Sequence, residues 1–176
     1  HACLPTEHGL AECARLGIHL AVQPAFLQWD QEPLEYIESI MGRRAYRISP
    51  LRTMTDMGLV LAGGSDAPCT VPDPLVGISA ACNHYVQGQS LSVQEALNLY
   101  TRNAAFLSFD EKERGSLEPG KVADMIVLNR NPLALKPAEL GSLKVERLLL
   151  GGQPYQPGQG SASVIIRGLA NGSRRI

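Results

Sequence analysis

Three observations predict an α/β fold with parallel strands covered by helices. Twice the chain runs helix, glycine, short apolar strand: once through Gly17 into residues 18–22, and once through Gly58 into residues 59–62. Repeated units of this kind point to parallel strands. The second strand, Leu59-Val60-Leu61-Ala62, is apolar without alternation, as a strand buried on both faces must be.

Taken in order, residues 5–16 read as a helix, with Leu10, Cys13, Ala14 and Leu16 near helical spacing and Gly17 as its stop. The strand at 18–22 ends at Gln23-Pro24. Residues 33–46 are charged and mixed and read as a helix with loops at each end. Residues 50–57 make a short helix stopped by Gly58. Residues 74–83 are helical in pattern. Ser92-Val-Gln-Glu95 is a capping box, opening one helix that runs to about Leu107 with Leu97, Tyr100, Ala104 and Leu107 on its apolar face. After residue 110 the character changes. Glu118-Pro-Gly120 is a turn, 123–128 and 145–150 are strands, and Gly151-Gly152 folds the chain into a hairpin. Residues 163–167 are a last strand, and the polar tail 168–176 is expected to be mobile.

The totals exclude several classes. The 176 residues suffice for one domain, or one and part of another, and an apolar share of 44% allows a buried core. With 16 basic and 17 acidic residues, there is no electrostatic footprint for nucleic acid or an anionic membrane. No apolar run approaches the ~18–20 residues that span a bilayer, and none has a signal-peptide layout. Cys3, Cys13, Cys69 and Cys82 lack C-x-x-C spacing; they read as reduced thiols, most of them buried, in a cytoplasmic protein. The first residue is His1 rather than methionine, which points to a processed chain or a piece of a longer one.

The chemistry concentrates at Gly63-Gly64-Ser65-Asp66-Ala67-Pro68-Cys69. In parallel α/β folds functional groups gather at the C-terminal ends of strands, and Asp66 follows the strand at 59–62. A short carboxylate held there suits a metal ligand or a general base; Ser-Asp is equally common as a turn cap. His1-Ala2-Cys3 precedes a helix as a strand-end residue would, although a lone histidine is more often incidental. Together the two fall short of the three protein ligands a catalytic zinc usually takes. No H-x-H, H-E-x-x-H, P-loop or G-x-G-x-x-G is present. Gln23 at a strand end, Trp29 and Phe26 in the next loop, and His84 after the 74–83 helix are candidates to face a substrate, against simple packing. His8 and His19 have no partner at ligand spacing. Cys69 lies near the same loop, Asp73-Pro74 starts a helix, and Asp124 reads as structural.

Gly63-Gly64-Ser65-Asp66-Ala67-Pro68, with Pro72-Asp73-Pro74-Leu75-Val76-Gly77-Ile78 after it, resembles the amidohydrolase superfamily, in its amidohydrolase-3 (YtcJ-like) branch. Thr101-Arg102-Asn103-Ala104-Ala105, Gly115-Ser-Leu-Glu-Pro-Gly-Lys-Val-Ala-Asp124 and the strand into Gly151-Gly152 are similar to motifs that follow there, in the same order. The resemblance covers roughly residues 1–155. It implies a (β/α)8 TIM-like barrel with a small β-sandwich and a divalent metal, zinc first, at the top of the barrel. Asp66 matches the aspartate after the eighth strand, which binds metal and handles the proton of the attacking water. His1 matches the metal-binding histidine of the sixth strand, and residues 1–59 then hold one αβ unit between them.

A whole barrel needs ~250 residues. The resemblance therefore implies the C-terminal portion alone: strands six to eight with their helices over 1–112, part of the sandwich over 113–167, and a tail over 168–176. The implied function is a metal-dependent hydrolase acting on carbon–nitrogen bonds of a small-molecule substrate, expected to be inactive as this fragment. The alternative is a non-catalytic remnant that acts as an oligomerising or binding domain, since open strand edges invite pairing. A cyclic-amide or deaminase specificity differs from the first reading only in substrate.

Overall fold

The computed structural model describes residues 1–155. Helix α1 (Glu7–Leu16) starts at Thr6, whose hydroxyl accepts the Gly9 amide, and ends at Gly17 in the left-handed conformation. Strand β1 (Leu20–Val22) follows, then a 3-10 turn over Pro24–Gln28 that carries Phe26 toward Trp29. The region expected as a helix over 33–46 is α2 (Leu34–Met41) continued by a 3-10 stretch, Gly42–Arg47. Helix α3 (Leu51–Asp56) leads into β2 (Leu61–Gly63).

Strands β1 and β2 pair in parallel, with Leu20 opposite Leu61 and Val22 opposite Gly63. The α/β reading holds, and its reason is visible in burial. Leu61 and Ala62 are both buried although their side chains point to opposite faces, so helices must cover both sides. Beyond the strand, the Gly64 amide donates to the Val22 carbonyl at 2.9 Å and keeps the two tips together.

Helix α4 (Pro74–Cys82) opens with Asp73, whose carboxylate accepts the Leu75 amide, and Pro74 in its first turn. The capping box forms as expected: Ser92 and Glu95 exchange both bonds at the start of α5 (Val93–Leu99). The single helix expected to Leu107 is corrected to two. Thr101, at φ −126° and ψ −96°, breaks it, and α6 (Arg102–Leu107) starts after the break. Tertiary contacts impose the break. Nδ2 of Asn103 donates to the Leu61 carbonyl on β2 at 2.8 Å, and the Tyr100 ring packs where side chains at Gly63 and Gly77 would stand.

The C-terminal part is an antiparallel sheet in the order β3 (Met125–Leu128), β4 (Val145–Leu150), β5 (Gln153–Pro154). Gly151 and Gly152 both have positive φ and turn β4 into β5, the hairpin expected there. The last strand expected at 163–167 and the tail 168–176 lie outside the described residues.

Leu51, Met54, Leu61 and Leu99 form the buried centre with Leu10 and Ile78. Each large side chain so buried stabilises the fold by about 1.5–3 kcal/mol. Leu140 and Leu143, from the 3-10 turn Pro137–Ser142 and just after it, join the same cluster. One core thus crosses the boundary drawn between 112 and 113. All four cysteines are free, but the expectation that most are buried is corrected: Cys82 is buried and the other three are half-buried. Burial pushes the Cys82 thiol up to about 11. Among the described residues no helix is long and apolar enough to cross a membrane.

Candidate metal centre

The site begins with a backbone problem. After β2 the chain must turn sharply while holding Asp66 over the strand tips. Gly63 allows the turn's base to close, because a side chain there would run into the Tyr100 ring at 2.5 Å. The turn is then locked locally. Thr70 Oγ1 donates to the Ser65 carbonyl at 2.5 Å, Ser65 Oγ accepts the Ala67 amide, and the Cys69 amide donates to the Asp66 carbonyl at 2.8 Å. Asp66 sits in the left-handed region with φ 54°. Aspartate tolerates that conformation better than most residues. The turn-cap reading is therefore served by Ser65, and the Asp66 carboxylate is free to point elsewhere.

It points at His1. Oδ2 of Asp66 lies 3.4 Å from Nε2 of His1, and both side chains are about half exposed, at 44% and 51%. The other ring nitrogen of His1, Nδ1, lies 2.7 Å from Oε1 of Gln23 at the end of β1. An amide oxygen only accepts, so Nδ1 carries the proton and donates. In the neutral ring Nε2 then presents its lone pair to a carboxylate oxygen. Two lone pairs facing each other at this distance repel, and either a proton on Nε2 or a bound cation between them relieves it.

A divalent cation fits that requirement. An imidazole nitrogen and a carboxylate oxygen are the donor types zinc takes, at about 2.0–2.2 Å each, and two such donors on a tetrahedral ion stand about 3.4 Å apart. Among the described residues no group of three or more His, Cys, Asp or Glu side chains converges on one point. The chain thus brings two ligands together and would need a third from elsewhere.

Phe26 meets the His1 ring edge-on at 5.5 Å and stacks on Trp29 at 5.8 Å. The aromatic pair forms a wall beside the His1–Asp66 pair. His84 departs from the expectation of a substrate contact. It is 5% exposed, its Nε2 donates to the Ser49 and Ile48 carbonyls, and its Nδ1 accepts the Val86 amide. Burial lowers its pKa against those two bonds. A ring with both nitrogens taken by backbone has none for a substrate. His19 is engaged likewise, Nδ1 accepting the Val60 amide. Asp124 is structural: it pairs with Arg114 and accepts the Gly151 amide at 2.7 Å, tying β3 to the hairpin turn.

Two supports of the site are illegible in the sequence. Asn103 holds the β2 backbone through the Leu61 carbonyl, and Tyr100 fills the space left by two glycines. The paired appearance of Gly63 and Gly77, each beside an apolar run, was the available signal.

The parallel β/α unit and the sheet that follows share their architecture with an uncharacterized metal-dependent hydrolase of known structure from Pyrococcus furiosus. That match has a TM-score of 0.66 at 34% identity, covering 76% of this chain and 28% of the other. The chain belongs to the amidohydrolase family, whose model matches residues 1–156. It is similar to a putative amidohydrolase, YtcJ, of Bacillus subtilis (strain 168), 32% identical over 164 residues, covering 87% of this chain and 30% of that protein. It is also similar to an N-substituted formamide deformylase of Arthrobacter pascens, 30% identical over 154 residues, covering 79% of this chain and 27% of that protein. The chain therefore spans less than a third of the length of these relatives.

Proposed function

We propose that these residues are the C-terminal portion of a metal-dependent amidohydrolase that cleaves a carbon–nitrogen bond in a small-molecule substrate. In this reading β1 and β2 are the seventh and eighth staves of a TIM-like (β/α)8 barrel. His1 stands at the end of the sixth, and β3–β5 belong to a small β-sandwich. The facing of His1 Nε2 and Asp66 Oδ2 at 3.4 Å over parallel strand ends carries the proposal. The name of the Arthrobacter relative, a formamide deformylase, supports an amide-type bond as the target.

His1 and Asp66 would hold the cation, zinc by the chemistry of the two donors. When bound, a divalent ion polarises a carbonyl and lowers the pKa of the attacking water. Asp66 would take up the proton of the attacking water and return it to the leaving nitrogen. The half-exposed position of Asp66 leaves it open to water and substrate. Phe26 and Trp29 bound the substrate on the His1 side.

The test is Asp66→Asn in the native protein that carries these residues, assayed on N-substituted formamides and simple N-acyl amines. Loss of general-base catalysis should lower turnover by about 10²–10⁴-fold with the fold retained by circular dichroism. Metal-independent turnover, or an Asp66→Asn protein of undiminished activity, would overturn the proposal. One observation favours the second reading, an oligomerising or binding domain without catalysis: Ile126, Val127, Val145 and Leu150 on the antiparallel sheet are 42–51% exposed.

A further inference from the structure

We infer that Gln23 is a positioning residue for His1, holding the imidazole with Nδ1 protonated and Nε2 bare and directed at Asp66. The sequence suggested Gln23 as a substrate contact; the structure spends its carbonyl on the ring, at 2.7 Å. In solution a neutral imidazole can carry its proton on either nitrogen, and only the Nε2 lone pair faces Asp66 here. Without a fixed acceptor at Nδ1, the proton would be drawn to Nε2, where the Asp66 carboxylate accepts it. His1 would then be a hydrogen-bond donor to Asp66, and the pair would be closed to any third group. Gln23 prevents this by offering an acceptor on the opposite side of the ring.

The fold fixes this acceptor. Gln23 follows the last residue of β1, and the parallel register sets β1 and β2 tips side by side. Gly64 lies beside the glutamine amide: a Cβ there would meet its Nε2 at 3.5 Å, an ordinary packing contact. Phe26, three residues on, contacts the ring edge-on at 5.5 Å and limits its rotation. One carbonyl and one ring edge thus set both the tautomer and the plane of His1.

The inference rests on His1 and Asp66 as the cation pair, but its first readout needs no cation. The experiment uses the native protein that carries these residues, with ¹⁵N-labelled histidine, the His1 signals being assigned by a His1→Ala variant. Nitrogen NMR of the metal-free protein, at a pH where the ring is neutral, reads the tautomer. The wild type should show the Nδ1–H form. Gln23→Met, similar in size but with no amide acceptor, should shift His1 to the Nε2–H form, and Gln23→Glu should keep Nδ1–H. Circular dichroism checks that both variants fold. Calorimetric titration with Zn²⁺ alone should then show binding weakened about 10–100-fold in Gln23→Met and not in Gln23→Glu. An Nε2–H tautomer in the wild type, or an Nδ1–H tautomer unchanged in Gln23→Met, would overturn the inference. A Gln23-dependent tautomer with no Zn²⁺ binding to the wild type upholds Gln23 as the positioning group and overturns the cation reading instead.

Discussion

Tyr100 shows how single atoms shape this molecule. Its ring lies so close to two glycines that a Cβ at Gly63 would stand 2.5 Å from it, and one at Gly77 1.8 Å from its hydroxyl. Burial pushes the Tyr100 phenol up to about 12, so it stays neutral and acts as a spacer. The ring cannot retreat from Gly77 without pressing on Gly63. Gly77→Ala should therefore destabilise the protein by about 1–3 kcal/mol, the usual cost of overpacking. Urea unfolding measures it. The same substitution made together with Tyr100→Leu should cost much less, and equal costs in both backgrounds would refute the packing argument. Three residues after Gly63, Asp66 has a left-handed backbone, and its carboxylate faces His1.

The α5–α6 pair carries the next lesson. By pattern it is one helix; in the structure Thr101 breaks it at φ −126° and ψ −96°. The break lets α6 present Asn103 to the β2 backbone. A strand of three residues has few bonds of its own, so one side-chain amide matters. Asn103→Ala leaves the Leu61 carbonyl without this partner, at a cost of about 1–3 kcal/mol. Hydrogen exchange should report it locally, as faster exchange along Leu61–Gly63 with α1 unaffected. The segment before β3 is held in the same way. Lys121 donates to the Glu111 carbonyl at 2.7 Å and to Ser116 Oγ at 2.6 Å, and Gly115 sits where a Cβ would press on Ala105.

Across the molecule, Arg52 on α3 and Glu95 on α5 join segments 43 residues apart by two parallel bonds of 2.7 and 2.6 Å. The Arg52 guanidinium chiefly, with Ser92 helping, holds the Glu95 carboxyl down from 4.5 to about 2. Its folded value lies below its unfolded one, so the stabilisation is complete above about pH 4.5 and is lost as the pH falls toward 2. The two side chains are 29% and 33% exposed, and solvent screening reduces the effect to about 1–2 kcal/mol. Glu95→Gln should lower stability at pH 7 by that amount and flatten the decline between pH 4.5 and 2. Denaturant unfolding at a series of pH values checks it, and parallel curves for the two proteins would refute it. This pair ties α3 to α5, and Leu140 and Leu143 carry the same core into the segment between β3 and β4.

Local chemistry made much of this legible. Gly17, Gly151 and Gly152 mark conformations with positive φ, the Ser92–Glu95 box marks a helix start, and Leu59-Val60-Leu61-Ala62 marks a strand covered on both sides. These signals depend on neighbours in the chain and so can be read along it. Asp66 was legible for the same reason, as a carboxylate beyond a buried strand. The partners were not. That Gln23 meets His1 across 22 residues, that His84 is consumed by the Ile48 and Ser49 carbonyls, and that one helix becomes two are set by packing between distant segments. Helical periodicity is a property of a few turns, whereas the space between Gly63 and Gly77 exists only once the strand and helix have met.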